Sequence, residues 1–202
     1  MTTSIRETLA HLERRKISVA EYERMYQSGI LGNAERLELL EGNIIQMSAL
    51  GNMHIRVMTM LNALFIPLYL ERKAIIGPQH ALRLARSVPQ PDLVLLRHNT
   101  DMNGDMQNPA NVLLVVEVSD STLDKDVKIK TRVYADANIP EYWIIDINGE
   151  AVLQYSQPQG KAFRAFTRNE KADTLTSVII PTFSVQVVEI FGTSLPALKH
   201  LS

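Results

Sequence analysis

The segment Val112–Ser119 reads V-L-L-V-V-E-V-S, and it restricts the fold more than any other part of the chain. Five aliphatic residues precede Glu117 and one follows it. An unbroken aliphatic run of this length fits a strand covered on both faces, so it demands a sheet with a layer on each side. A carboxylate inside such a run is costly unless something pairs with it or binds it. A second run, P-D-L-V-L-L at 91–96, carries another acid, Asp92, at its start. The polar stretch 98–111, rich in Asn, Asp, Gly and Pro, reads as a loop between the two. The two strands are therefore expected to be neighbours.

The rest of the chain supplies support for this pair. Residues 1–16 read as a polar leader or a short helix. Ser18 followed by Glu21 has the spacing of a capping box, which predicts a helix from Val19 to about Gly29. Glu41-Gly42-Asn43 sits between two short apolar runs and reads as a hairpin turn. Apolar residues at 57, 58, 61, 64, 65 and 68 repeat with a helical period, and Pro67 is expected to kink that helix or end it early. Residues 74–77 and 80–84 read as short strands. Ser121 or Thr122 is placed to cap a helix over 123–137. The run E-Y-W-I-I-D at 141–146 predicts a further strand. Residues 152–155, 162–167 and 177–180 read as an antiparallel meander, and 185–191 fits either a strand or a short helix. The order predicts an α/β fold with a mixed central sheet flanked by helices and a β-rich C-terminal extension. No shift in composition marks a second domain, so one domain over 1–202, with its core at about 18–190, is expected.

Composition narrows the chemistry. The chain has no cysteine, so any metal must take oxygen or imidazole ligands. A cytoplasmic location fits that absence. The net charge of −1 means that positive charge for nucleic acid must be local. Arg83, Arg86, Lys125, Lys128 and Arg132 are candidates for such a rim, or for a solvated face. No apolar run is read as membrane-spanning, and no signal peptide is visible.

Asp92 and Glu117 suggest a divalent-cation site for phosphodiester hydrolysis. Cleavage builds negative charge on the phosphate, and a hard cation offsets it. Mg²⁺, or Mn²⁺ in its place, suits a few carboxylates plus waters. A lysine nearby can orient the attacking water or stabilise the developing charge. Ser119 shares the face of Glu117 but carries no charge. Lys130 is the candidate lysine: with Asp126 and Tyr134 it falls at a spacing of four on the predicted helix. An ordinary surface pair of Asp126 and Lys130 is the bland alternative, and Lys130 is given little weight in packing. Glu38 is a candidate third ligand or a solvent-facing hairpin acid. His54 is a candidate ligand, a cap or a packed side chain.

Several of these residues form a joint pattern: E-L-L-E-G-N-I-I-Q-M-S at 38–48, His54, Q-P-D-L-V at 90–94, V-V-E-V-S-D-S-T at 115–122, Asp126, Lys130, Tyr134 and I-P-E-Y-W-I-I-D at 139–146. Together they resemble the putative restriction endonuclease family of the PD-(D/E)XK nuclease superfamily. The resemblance covers about 18–190. It implies a restriction-endonuclease-like core, with Asp92 and Glu117 as metal-binding acids. The superfamily's lysine two residues after the second acid is missing, since that position is Ser119; Lys130 matches the relocated lysine. A divalent-metal-dependent endonuclease acting on DNA follows from the resemblance, and a homodimer is expected because cutting both strands suits two-fold pairing. The alternative is a non-catalytic nucleic-acid or protein-binding module that keeps the nuclease fold.

Overall fold

The computed structural model describes residues 15–32 and 35–195. Most of the predicted leader lies outside them. Helix α1 (Val19–Gln27) starts where the capping box places it: the Ser18 hydroxyl accepts the Glu21 N–H, and the Glu21 carboxylate accepts the Ser18 N–H. Gly29 follows it with φ 73°. Strands β1 (Leu37–Leu40) and β2 (Asn43–Gln46) form the expected hairpin. Its two turn residues, Glu41 and Gly42, both have positive φ, the pattern of a type I′ turn, and glycine adopts it without strain.

Helix α2 (Asn52–Leu70) runs past Pro67, so the proline does not end it. With 19 residues and a mean hydropathy of 1.3, α2 is by length and composition apolar enough to cross a membrane. The sequence expectation was otherwise, because His54, Arg56 and Asn62 divide the helix into short apolar runs. In the fold its buried side, Val57, Leu61, Phe65 and Leu68, packs on the sheet.

The central sheet has the order β3-β4-β5-β6-β7-β8. The strands are β3 (Ala74–Pro78), β4 (Leu93–Arg97), β5 (Val112–Ser119), β6 (Glu141–Asp146), β7 (Ala151–Gln159) and β8 (Ala162–Asn169). Strands β5 and β6 are parallel and every other neighbouring pair is antiparallel. The β5–β6 crossover is helical: α3 (Leu123–Lys125), a π-helical turn (Asp126–Lys130) and α4 (Thr131–Asp136) follow one another directly. Leu114, Val116 and Val118 of β5 face α2, while Val115 packs on the other side with Val133 and Tyr134 of the crossover. Both faces of β5 are thus covered, as its sequence demands, and the mixed α/β architecture stands as expected.

Two expected strands are absent. Residues 80–84 form a loop, whose Leu82 and Leu84 amides bond to Pro89 and Ser87 carbonyls. Both leucines are buried, which is why their alternation resembles a strand. Residues 177–180 turn around a buried acid instead. The Ser177 hydroxyl and the Val178 and Ile179 amides all donate to the Glu141 carboxylate. The pairing strands of the tail are β9 (Thr174–Thr176) and β10 (Ser184–Gln186), and α5 (Val187–Ile190) follows. The undecided segment at 185–191 is therefore part strand and part helix.

Candidate active site

The antiparallel register of β4 and β5 pairs Leu93 with Val116. One step further along the same register sets Asp92 level with Glu117. Both acids line one cavity of about 60 Å³, closed in by the start of α2, the start of the crossover helix and the 47–51 connection. The register sets them on the same side of the sheet, and the two strands are neighbours as the sequence predicts.

Each acid is held by its neighbours. Asp92 Oδ2 accepts the Val118 N–H at 2.8 Å, and Asp92 Oδ1 meets His54 Nε2 at 2.9 Å. The first bond locks Asp92 across the strand pair. The second comes from the first turn of α2 and fixes the carboxylate's rotation. Glu117 Oε1 accepts two donors, Lys130 Nζ at 2.8 Å and the Tyr134 hydroxyl at 2.6 Å. That leaves Oε2 without a donor among the described residues. Burial pushes the Glu117 carboxyl up to about 8, with Lys130 opposing and the other carboxylates reinforcing the shift. Burial presses the Lys130 ammonium toward neutrality, but Glu117, Glu38 and Asp126 outweigh it and hold the group above the ordinary lysine range. Lys130 is therefore a charged donor at any physiological pH.

Glu38 is fully buried, so it is not the solvent-facing acid that a hairpin permits. Its Oε1 accepts Lys125 Nζ at 2.9 Å, and its Oε2 lies 3.0 Å from Lys130 Nζ. Lys130 is 1% exposed. This overturns both the surface-pair alternative and the small packing weight given to it. Asp126 is buried too, with Oδ2 bonded to the Ser119 and Thr122 hydroxyls. Ser119 thus orients Asp126. Thr122 occupies the helix N-cap position, but its hydroxyl serves the Asp126 side chain and caps no backbone amide. Asp126 Oδ1 is buried without a hydrogen-bond partner. Lys128 is exposed and pairs with Asp124.

The π turn is the local device that brings these groups together. The Thr131 N–H bonds to the Asp126 carbonyl, one residue further back than in an α-helix, and the Thr131 and Tyr142 hydroxyls share that acceptor. Widened turns of this kind recur at functional sites. No periodicity in the sequence marks it. The Glu38–Lys125 pair was equally invisible: its partners lie 87 positions apart. Of the residues that are candidates for a basic rim or a solvated face, Arg83 pairs with Glu23, Arg86 with Glu41, Lys125 with Glu38 and Lys128 with Asp124. The rim is largely neutralised within the chain.

The cavity's donors suit a hard cation: the carboxylates of Asp92, Glu117, Asp120 and Asp126, and the hydroxyls of Ser121 and Thr122. Among the described residues no three acids or histidines converge as a closed cage. A cation here would take two carboxylates and keep waters, as Mg²⁺ prefers. The orphaned Asp126 Oδ1 is an acceptor that such waters can serve.

Comparison with known families matches residues 19–188 to a family described as putative restriction endonuclease. A crystal structure of a putative nuclease from Anabaena variabilis is similar in fold, with a TM-score of 0.69 and 16% identity over 87% of this chain and 97% of that one. No curated protein matches the chain.

Proposed function

The chain belongs to the putative restriction endonuclease family, and on that footing we propose that it is a divalent-metal-dependent endonuclease hydrolysing phosphodiester bonds in DNA. The observation that supports this best is a pair of buried acids, each fixed by other side chains, beside a buried lysine that stays charged. Asp92 and Glu117 Oε2 are the groups that would hold Mg²⁺ or Mn²⁺. A bound cation offsets charge on the phosphate and makes its water more acidic.

The chain's own groups do the rest. His54 and the Val118 amide keep Asp92 from rotating, and Tyr134 does the same for Glu117. Both carboxylates are thereby preorganised, which removes a reorganisation cost at the moment of reaction. Lys130 presents its ammonium where negative charge develops. Glu38 and Asp126 hold it charged despite burial. Tyr134, between β5 and the crossover helix, also excludes water behind Glu117.

Supercoiled plasmid incubated with Mg²⁺ or Mn²⁺ tests the reading. The expected outcome is nicking by the parent and none by Asp92→Ala or Glu117→Ala. A second reading, a binding module that keeps the nuclease fold, draws on the internal pairing of every site acid. It predicts oligonucleotide or protein binding that no divalent cation alters, with no cleavage under any metal.

A further inference from the structure

Arg36 lines the cleft on one side and a second, larger groove on the other. Its Nη1 donates to the Ser48 carbonyl at 2.8 Å, which holds the side chain across the ridge between them. The second groove has a volume of about 590 Å³ and lies between α1, β1 and the 79–90 loop. Its apolar surfaces come from Leu37, Val88, Ala81 and the half-buried Tyr26, whose ring packs edge-on against Tyr22 at 5.1 Å. Its polar groups are four glutamines, Gln27, Gln79, Gln90 and Gln107, together with the carboxylates of Glu23 and Glu35 and the Arg36 guanidinium. Gln90 is engaged, since its amide donates to the Gln79 carbonyl. The side-chain amides of Gln27, Gln79 and Gln107 are exposed and have no partner among the described residues. Of the two lining carboxylates, that of Glu23 is neutralised by Arg83.

We propose that this groove is a nucleobase subsite, which takes unpaired nucleotides of the strand whose phosphate lies in the cleft. A base is flat and apolar on its faces and carries donors and acceptors on its edges. The groove offers the complement, apolar surfaces with neutral amides among the polar groups beside them. Glutamine amides match base edges, adenine best of all. A phosphate would want cations here, and the groove offers only Arg36, already held by the Ser48 carbonyl, with the Glu35 carboxylate on the same lining. A duplex is read by an element that protrudes into its groove, whereas a groove in the protein accepts what protrudes from the nucleic acid, an unstacked base. Arg36 then marks the step from the reacting phosphate to the bases beside it. The inference rests on the nuclease reading for the location of that phosphate.

The test separates the two. Fluorescence anisotropy with a short labelled single strand is run in chelator, where no metal-dependent cutting occurs. It is compared with an abasic strand of the same length and with a duplex. The parent is expected to bind the base-bearing strand about tenfold more tightly than either competitor. Replacing Gln27, Gln79 and Gln107 together by alanine should bring that ratio close to one and leave abasic binding unchanged. Gln27→Ala alone, on the exposed side of α1, should lower it measurably with the fold intact. Equal binding of all three probes by the parent, or a ratio that survives the triple change, overturns the subsite. Cleavage with Mg²⁺ but without base preference sinks the groove and leaves the nuclease reading standing. Base preference without cleavage supports the groove and counts against the nuclease.

Discussion

Lys130 shows how far a single buried charge reaches. Its ammonium is shared by Glu117 and Glu38, with Asp126 Oδ1 at 3.9 Å. Removing it leaves buried carboxylates without their cation, a change that costs about 3–5 kcal/mol in comparable settings. Lys130→Ala should therefore lower stability by about that much in urea denaturation, whereas exposed Lys128→Ala should stay within about 0.5 kcal/mol of the parent. Loss of cleavage in Lys130→Ala must accordingly be read on protein shown to be folded. Glu117 gives a pH signature. Its folded carboxyl is raised from 4.5 to about 8, so between those values the folded state binds more protons than the unfolded chain. Stability from this group is complete below pH 4.5 and is lost as pH rises through 8. Lys130 is raised as well, so its contribution is intact below its unfolded value of 10.5 and adds no slope in that window. The melting temperature of metal-free protein should fall from pH 5 to pH 8, and Glu117→Gln should flatten the fall. A parent profile as flat as the variant's would contradict the assignment.

Elements with a single dominant signal were legible in the sequence, and elements whose amides serve side chains were not. The aliphatic runs of β4 and β5 set both strands and their acids, and the capping box set the start of α1. Residues 177–180 misled because their apolar pattern is real while the Val178 and Ile179 N–H groups go to Glu141 and the Ile180 N–H to the Ser177 hydroxyl. That carboxylate is fully buried and takes its hydrogen bonds from Trp143, Gln154, Ser177, Val178 and Ile179, with no ion-pair partner among the described residues. It ties the turn before β10 to β6. Glu141→Ala would leave several buried donors unpaired, at about 1–3 kcal/mol each before relaxation. The expected result is a loss of at least about 3 kcal/mol, with the Val178 and Ile179 amides exchanging far faster with deuterium. Unchanged exchange at those two amides would show that the turn holds without the acid. In the site, Asp92, Glu117 and Lys130 were legible as types at positions. The π turn and the Glu38 pairing were not, because both depend on contacts that only the folded chain brings together.

At the scale of the whole molecule, the site sits where β4 begins and β5 ends, with α2 on one side of the sheet and the crossover helix on the other. Edge strand β8, with Phe166 56% exposed, has a strand neighbour on one side only among the described residues, and we propose this edge of the β-rich tail as the pairing face of the homodimer that the sequence suggests. Light scattering at micromolar concentration checks this, and Phe166→Glu should return the protein to monomer. The proposed cation binding would be a separate property of the assembled fold, since Asp92 at the start of β4 and Glu117 of β5 exist as a pair only when the two strands are in register. A ligand that binds the folded chain alone raises stability by RT ln(1 + [L]/Kd), about 1.4 kcal/mol at ten times Kd. For a chain of this size that corresponds to roughly 3–6 °C in melting temperature. Saturating Mg²⁺ should give such a rise in the parent and none in the Asp92→Ala/Glu117→Ala double variant. The rise should grow from pH 6 to pH 8, because a protonated Glu117 cannot ligate and the cation must displace its proton. A rise that persists in the double variant would place the cation elsewhere, and one that shrinks with pH would mean that Glu117 is not a ligand.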